Sequence, residues 1–143
     1  MLAGRVASSL SRLTGYHGTA LPGLVACRID PTILSSLGHD LGPIILVVGT
    51  NGKTTTTRLT AAVLERVIGV RPVSNRSGAN LTQGVLSAIL ADGSAIMRRR
   101  PAVFEVGELA FPAVAEALQP DVVVMLNLVR DQLDRYGEVD AIE

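Results

Sequence analysis

A short glycine-rich segment carries the clearest chemical signal in the 143-residue chain. Glycines at its two turning points let the backbone bend tightly and approach a phosphate group. Lys53 is long enough to reach the terminal phosphates of a nucleotide, and the Thr54 hydroxyl is suited to bind Mg²⁺. The segment therefore predicts a nucleotide phosphate-binding loop, whose residues are Gly49, Thr50, Asn51, Gly52, Lys53, Thr54 and Thr55.

The surroundings of this loop support the prediction. The apolar run Pro43–Val48 precedes it and is typical of a strand buried on both faces, while Thr54–Val67 has helical spacing. Lys53 is the only lysine of the chain, beside twelve arginines. The general motif G-x-x-x-x-G-K-[ST] has a further glycine where this chain has Val47. The alternative is a glycine-rich strand-to-helix turn with an incidental lysine.

Apolar runs and helical spacings alternate along the rest of the chain. After a helical segment at residues 1–40, the predicted domain at 41–143 has strands at 43–48, 70–73, 102–106 and 122–126. Helices are expected at 2–13, 31–38, 54–67, 82–90 and 111–118, with Gly15, Gly18, Pro22 and Gly23 ending the first and Asp30-Pro31 starting the second. This alternation predicts an α/β fold of three layers, a parallel sheet with crossover helices like that of P-loop NTPases.

Ligands of such sheets bind beyond the carboxyl ends of the strands. The loop at 74–80 and the polar segment from residue 127 occupy such positions. They add candidate cleft residues, with an ordinary turn or a helix cap as the alternative role: Asn75, Arg76, Ser77, Asn80, Asn127 and Asp131.

Composition restricts the classes of function. Thirteen basic and thirteen acidic residues cancel, which argues against a nucleic-acid binder. The single cysteine, Cys27, excludes a zinc site built from several cysteines in this chain. No apolar run is long enough to form a transmembrane segment. We expect a cytoplasmic protein; the acid-free first 29 residues could also pass for a transit peptide.

Three segments together resemble the Mur ligase family, which joins amino acids to cell-wall precursors using ATP. They are GTNGKTTTT at 49–57, NRSGANL at 75–81 and NLVRDQLDRYGE at 127–138. Where typical members have a histidine in a DHLD-type motif this chain has Gln132, the form found in the MurT branch. The lead-in TALPGL at 19–24 is similar to the same branch.

The resemblance implies an ATP-using subunit of lipid II isoglutaminyl synthase. Such a subunit activates the D-glutamate α-carboxylate of the peptidoglycan stem peptide as an acyl phosphate, and a GatD-type glutaminase supplies ammonia. Lys53 would bind phosphates, while Thr54 and Glu105 would hold Mg²⁺; a solvated strand end is the alternative role of Glu105. Glu108 is a further cleft candidate that could instead favour the start of the next helix. The family reads E-V-D-E where this chain has Gly107 between Val106 and Glu108.

The resemblance also implies that members of the MurT branch carry a four-cysteine zinc ribbon and a C-terminal domain, which the 143 residues do not contain. We therefore expect an incomplete central domain that alone binds ATP weakly or not at all and has no ligase activity. Two alternatives remain at this point: another Mur ligase or folylpolyglutamate synthase-like amide ligase, and a non-catalytic nucleotide-binding fragment.

Overall fold

The computed structural model describes residues 20–93 and 99–128. The helix predicted over 2–13 and the polar segment containing Asp131 lie outside these residues. In chain order the described elements are α1 (Leu21–Ile29), α2 (Ile33–Gly38), β1 (Ile44–Val48), α3 (Lys53–Ile68), α4 (Thr82–Ala91), β2 (Ala102–Val106), a 3-10 turn (Glu108–Ala110), α5 (Phe111–Leu118) and β3 (Val122–Met125).

The three strands form one parallel sheet in the order β2-β1-β3. The register places Val47 of β1 opposite Glu105 of β2, and Val48 opposite Met125 of β3. Because all three strands run in the same direction, their carboxyl ends meet at one edge. The phosphate loop and Glu105 therefore lie at the same edge, and the predicted α/β class with a parallel sheet and crossover helices is confirmed.

Helices cover both faces of the sheet. On one face, Leu46 and Phe104 join side chains of α1, α2, α4 and α5 in the larger core cluster. On the other face, Val47 and Val103 pack against Ala61 of α3. The central strand β1 is apolar on both faces for this reason, and full burial of each such side chain stabilises the fold by about 1.5–3 kcal/mol.

The strand predicted over Val70–Val73 does not form. Among the described residues only Val73 pairs, through a parallel bridge to Ala102 of β2. Pro72 has no amide hydrogen to donate, and Val70 is exposed directly after α3 ends at Gly69 in a left-handed conformation. The free edge of β2 therefore gains one paired residue there rather than a fourth strand.

The structure also differs from the helix boundaries predicted at Pro22-Gly23 and at Asp30-Pro31. Pro22 and Gly23 lie in the first turn of α1 instead of ending a helix. A Cβ at Gly23 would lie 2.0 Å from the Gln83 carbonyl oxygen, so glycine is required for the close approach of α1 to α4. Asp30 does precede a helix, but its Oδ1 accepts hydrogen bonds from the amide and hydroxyl of Thr32. That turn delays the start of α2 to Ile33.

Strand β3 differs from the other two strands in its surroundings. Continuous apolar runs are typical of buried strands, yet Val122, Val123 and Met125 are exposed among the described residues. The strand is attached at its start by Asp121, whose Oδ2 accepts a hydrogen bond from the Ile44 amide at 2.7 Å.

Candidate functional site

The phosphate loop links β1 to α3 through two glycines with positive φ. Gly49 has φ 140° and Gly52 has φ 86°. A Cβ at Gly49 would lie 2.9 Å from the main-chain nitrogen and oxygen of Asn127, so the space excludes a side chain. Gly52 has room but adopts the left-handed conformation that only glycine takes without strain. Both glycines are therefore required by the path of the backbone.

Asn127, directly after β3, holds the loop in place. Its main-chain oxygen accepts from the Thr50 amide at 2.7 Å. Its side-chain Oδ1 accepts from the Asn51 amide at 3.0 Å, and its Nδ2 donates to the Asn51 oxygen at 3.2 Å. The amides of Thr50 and Asn51 thus point at Asn127, although both residues belong to the predicted phosphate-binding loop.

The start of helix α3 supplies the remaining amides. The first hydrogen bond of this helix runs from the Thr56 amide to the Gly52 oxygen. The amides of Lys53, Thr54 and Thr55 precede it and have no acceptor within the helix. Together with the positive end of the helix dipole, these groups suit an anionic ligand. The side chains of Thr54 and Thr55 are exposed beside them.

The ammonium group of Lys53 is buried against the loop. It donates to the main-chain oxygen of Gly49 and, at 2.9 Å, to that of Thr50. It also lies 3.9 Å from Oε2 of Glu108, in an ion pair that is shielded from solvent. The structure therefore brings together Lys53 and Glu108, which the sequence analysis named as a phosphate-binding residue and a cleft candidate.

Glu105 lies within β2, with 3% of the residue exposed. Its Oε2 has no hydrogen-bond partner among the described residues. Its main-chain amide and oxygen both pair with the Asn75 side chain, at 3.0 Å and 2.8 Å. The loop at 74–80 also approaches the carboxylate, because a Cβ on Gly78 would be 3.5 Å from Oε1.

The predicted cleft residues in the loop at 74–80 differ in burial and in their hydrogen bonds. Asn75 uses both amide hydrogens within the protein, on the oxygens of Ala79 and Glu105, so it shapes the loop. Arg76 and Ser77 are exposed at the tip of the same loop. Asn80 is half-buried, and its main-chain oxygen accepts from the Gly107 amide at 2.8 Å.

The charges at this edge suit a divalent cation. The carboxylates of Glu105 and Glu108 are both buried, and the Lys53 ammonium is paired with Glu108. Oε2 of each carboxylate has no hydrogen-bond partner within the described residues. Buried carboxylates are costly unless they are paired or bind a metal. Among the described residues, no three His, Cys, Asp or Glu residues cluster as a metal-binding group. Two carboxylates suit Mg²⁺, because this ion often binds one or two carboxylates together with water and substrate phosphates.

Thr57 belongs to this region and was not predicted from sequence. It is buried one turn after Lys53 on α3, and its Oγ1 has no hydrogen-bond partner in the described structure. The four-residue spacing from Lys53 was the available signal.

Across the helices that the structure describes, none is long and apolar enough to cross a membrane.

The chain is similar to known proteins along most of its length. Residues 47–143 match the Mur ligase middle domain. The chain is 41% identical over 140 residues to "Lipid II isoglutaminyl synthase (glutamine-hydrolyzing) subunit MurT" of Streptococcus pneumoniae, strain ATCC BAA-255 / R6, covering 97% of this chain and 30% of that protein. It is 36% identical over 136 residues to the protein of the same name from Staphylococcus aureus, strain COL, covering 95% and 30%.

A more distant relative is "UDP-N-acetylmuramoylalanine--D-glutamate ligase" of Caulobacter sp., strain K31. It is 33% identical over 109 residues, which cover 76% of this chain and 21% of that protein. The chain thus spans about 30% of the length of the MurT relatives. Because the family model matches residues 47–143, more than half of the chain, the chain belongs to the Mur ligase family.

Proposed function

We propose that this chain is the ATP-binding part of a MurT-like subunit of lipid II isoglutaminyl synthase. The complete enzyme would amidate the D-glutamate α-carboxylate of the peptidoglycan stem peptide through an acyl phosphate. A GatD-type glutaminase subunit would supply the ammonia, and the reaction would take place in the cytoplasm. The observation that carries the proposal is the burial of the Lys53 ammonium between the main-chain oxygens of the phosphate loop and Glu108.

In this proposal each part of the site has one task. The amides at the start of α3 and the Lys53 ammonium bind and orient the phosphates of ATP. Thr54 and Glu105 would hold Mg²⁺, which would neutralise charge on the phosphates and on the carboxylate that is being activated. Lys53 exchanges the oxygens of Gly49 and Thr50 for phosphate oxygens when the nucleotide binds.

Nucleotide titration tests the phosphate-binding assignment. We expect the chain to bind ATP weakly, so the measurement is an NMR titration at millimolar nucleotide. Lys53→Ala is expected to abolish binding, because it removes the one cation at the loop. Arg58→Ala, at an exposed position of α3, is the matched control and is expected to bind as the wild type. Equal ATP binding by Lys53→Ala and wild type would show that the assignment is wrong.

Reconstitution tests the enzymatic part. The isolated chain is mixed with purified GatD-type glutaminase, lipid II, glutamine and ATP, and amidated lipid II is measured by mass spectrometry. We expect no product, since the chain spans about 30% of its MurT relatives. Turnover by the isolated chain would contradict this expectation. A longer form of the protein, extended to the length of the relatives, is expected to restore amidation.

The similarity to a D-glutamate ligase supports a second candidate within the family, a ligase acting on a UDP-linked precursor. Amidation of lipid II but not of a UDP-linked precursor by the extended protein would favour the first candidate. Addition of an amino acid to a UDP-linked precursor would favour the second. A protein that binds ATP but performs neither reaction would fit a non-catalytic nucleotide-binding module.

A further inference from the structure

Thr57 presents a buried hydroxyl that the proposed function does not use. Only 3% of the residue is exposed, and Oγ1 has no partner among the described residues. A threonine inside a helix commonly donates to the carbonyl oxygen four residues earlier, but this one does not. Burying an unpaired hydroxyl costs free energy. The hydroxyl therefore has a donor available for a further acceptor.

The buried stripe of α3 shows where this hydroxyl lies. Lys53, Thr57 and Ala61 recur every four residues and are the buried residues of this helix. At one end of the stripe, Ala61 packs against Val47 and Val103 of the sheet. At the other end, the ammonium of Lys53 reaches the carboxyl edge, 3.9 Å from Glu108. Thr57 lies between these two contacts.

On strand β2, Glu105 lies between Val103, which packs against Ala61, and the carboxyl edge of the sheet, which Lys53 reaches. It follows Val103 by two residues and so faces the same side of β2, toward α3. It is also the register partner of Val47. The four residues from Ala61 to Thr57 span about 6 Å along the helix, and two strand residues span about 6.6 Å. The Thr57 hydroxyl and the Glu105 carboxylate therefore lie at the same level of the sheet.

The Thr57 hydroxyl and the Glu105 carboxylate are complementary as hydrogen-bond donor and acceptor. Oε2 of Glu105 lacks a donor, and Thr57 has a donor without an acceptor. A buried water bridging two such groups is a common solution in proteins. Groups that hold a metal-binding carboxylate in this way set its orientation and tune the affinity for the metal.

We propose that Thr57 is a positioning residue of the cation site: through a shared water, its hydroxyl fixes the orientation in which the Glu105 carboxylate meets Mg²⁺. This inference rests on the proposed function, because it assumes that the loop binds a magnesium–nucleotide complex. It adds a residue that does not touch the nucleotide and acts through Glu105.

Three variants of the chain test the role. Thr57→Val keeps the branched shape and removes the hydroxyl, Thr57→Ser keeps the hydroxyl, and Thr60→Val is the control at a half-buried position of the same helix. Binding of a non-hydrolysable ATP analogue is measured by NMR titration in MgCl₂ and in EDTA, with thermal unfolding alongside. Thr57→Val is expected to lose about ten-fold or more of the affinity that Mg²⁺ adds. Its binding in EDTA and its melting temperature are expected to stay at or above wild type.

Rescue by Thr57→Ser and wild-type behaviour of Thr60→Val would support the role. An unchanged Mg²⁺ dependence in Thr57→Val would overturn it. An equal loss in MgCl₂ and EDTA together with a lower melting temperature would assign Thr57 a structural role and overturn it as well. If neither the chain nor the form extended to the length of the relatives shows Mg²⁺-dependent binding, the proposed function fails and this role fails with it. If the wild type shows Mg²⁺-dependent binding and Thr57→Val shows the same dependence, the role of Thr57 is refuted but the proposed function stands.

Discussion

The side-chain amide of Asn75 pairs with both main-chain groups of Glu105: Nδ2 donates to its oxygen at 2.8 Å and Oδ1 accepts from its amide at 3.0 Å. Val73, two residues earlier, pairs with β2 through its own backbone. The amide of Asn75 therefore continues the pairing at the free edge of β2 as a peptide group would. This contact joins the loop at 74–80 to the strand that presents the candidate metal carboxylate.

Replacing Asn75 is expected to destabilise the protein. Asn75→Ala leaves a buried amide and a buried carbonyl of Glu105 unpaired, which costs about 1–3 kcal/mol for each unsatisfied group. Asn75→Asp keeps the acceptor but loses both donors, so it is also expected to destabilise. Urea unfolding measures the change, and Ser77→Ala, at an exposed position of the same loop, is the control. A stability of Asn75→Ala equal to that of the control would contradict the pairing role.

Glu105→Gln is expected to remove the effect of Mg²⁺ on nucleotide binding. The substitution keeps the shape of the side chain but removes the charge that a hard cation requires. Nucleotide affinity in EDTA should stay near wild type, while affinity in MgCl₂ falls to the EDTA value. Glu116→Gln, exposed on α5, is the matched control. Retained Mg²⁺ dependence in Glu105→Gln would show that the cation is bound by residues other than Glu105.

Asn127→Asp is expected to weaken nucleotide binding more than it weakens the fold. It retains the acceptor for the Asn51 amide, but it loses the donor to the Asn51 oxygen and adds a negative charge beside the phosphate loop. Loss of one exposed hydrogen bond costs about 0.5–1.5 kcal/mol of stability. Asn127→Ala separates the two effects, because it removes the amide without adding charge. We expect the affinity order wild type, Asn127→Ala, Asn127→Asp, measured by NMR titration; equal affinities would refute this role.

Gly52→Ala and Gly69→Ala form a matched pair at the two ends of α3. Both glycines have left-handed φ, 86° and 70°, and neither site is crowded. Each substitution is therefore expected to cost about 1–2 kcal/mol of folding free energy through backbone strain. Only Gly52→Ala should also reduce ATP binding, because Gly52 lies in the phosphate loop. Loss of ATP binding in both variants would point to a general loss of structure instead.

The turn before α2 gives a pH-dependent contribution to stability. Hydrogen bonds from the Thr32 hydroxyl and then from its amide lower the pKa of Asp30 below its ordinary value. Because the folded pKa is depressed, the contribution is present above the unfolded pKa and is lost as pH falls through the folded pKa. The stability difference between wild type and Asp30→Ala in urea unfolding should therefore be larger at pH 7 than at acidic pH. A stability difference between wild type and Asp30→Ala that grows as the pH falls would contradict the stabilising role of this turn.

Local sequence determined much of this protein. The apolar run of β1, the glycines at 49 and 52 and the spacing of α3 predict a strand, a turn and a helix because each depends on neighbours within a few residues. The helix at Phe111–Leu118 and the strand at Ala102–Val106 also have the predicted bounds. The strand predicted from local sequence at Val70–Val73 does not form. Local sequence could not show that only Val73 would pair with β2 and that the Asn75 side chain would take the next position on its edge.

The tertiary structure alone decided how the site residues work together. Asn127 and Asn51 are 76 residues apart, and Asn75 and Glu105 are 30 apart, so no local pattern could predict that each pair would form two hydrogen bonds. The burial of Thr57 beside the sheet and the approach of Lys53 to Glu108 depend on how α3 packs across β1 and β2. Residue types and short spacings thus determined which chemical groups stand at the ends of the strands. Packing of distant elements determined which groups hold the site in place and which are left for a ligand.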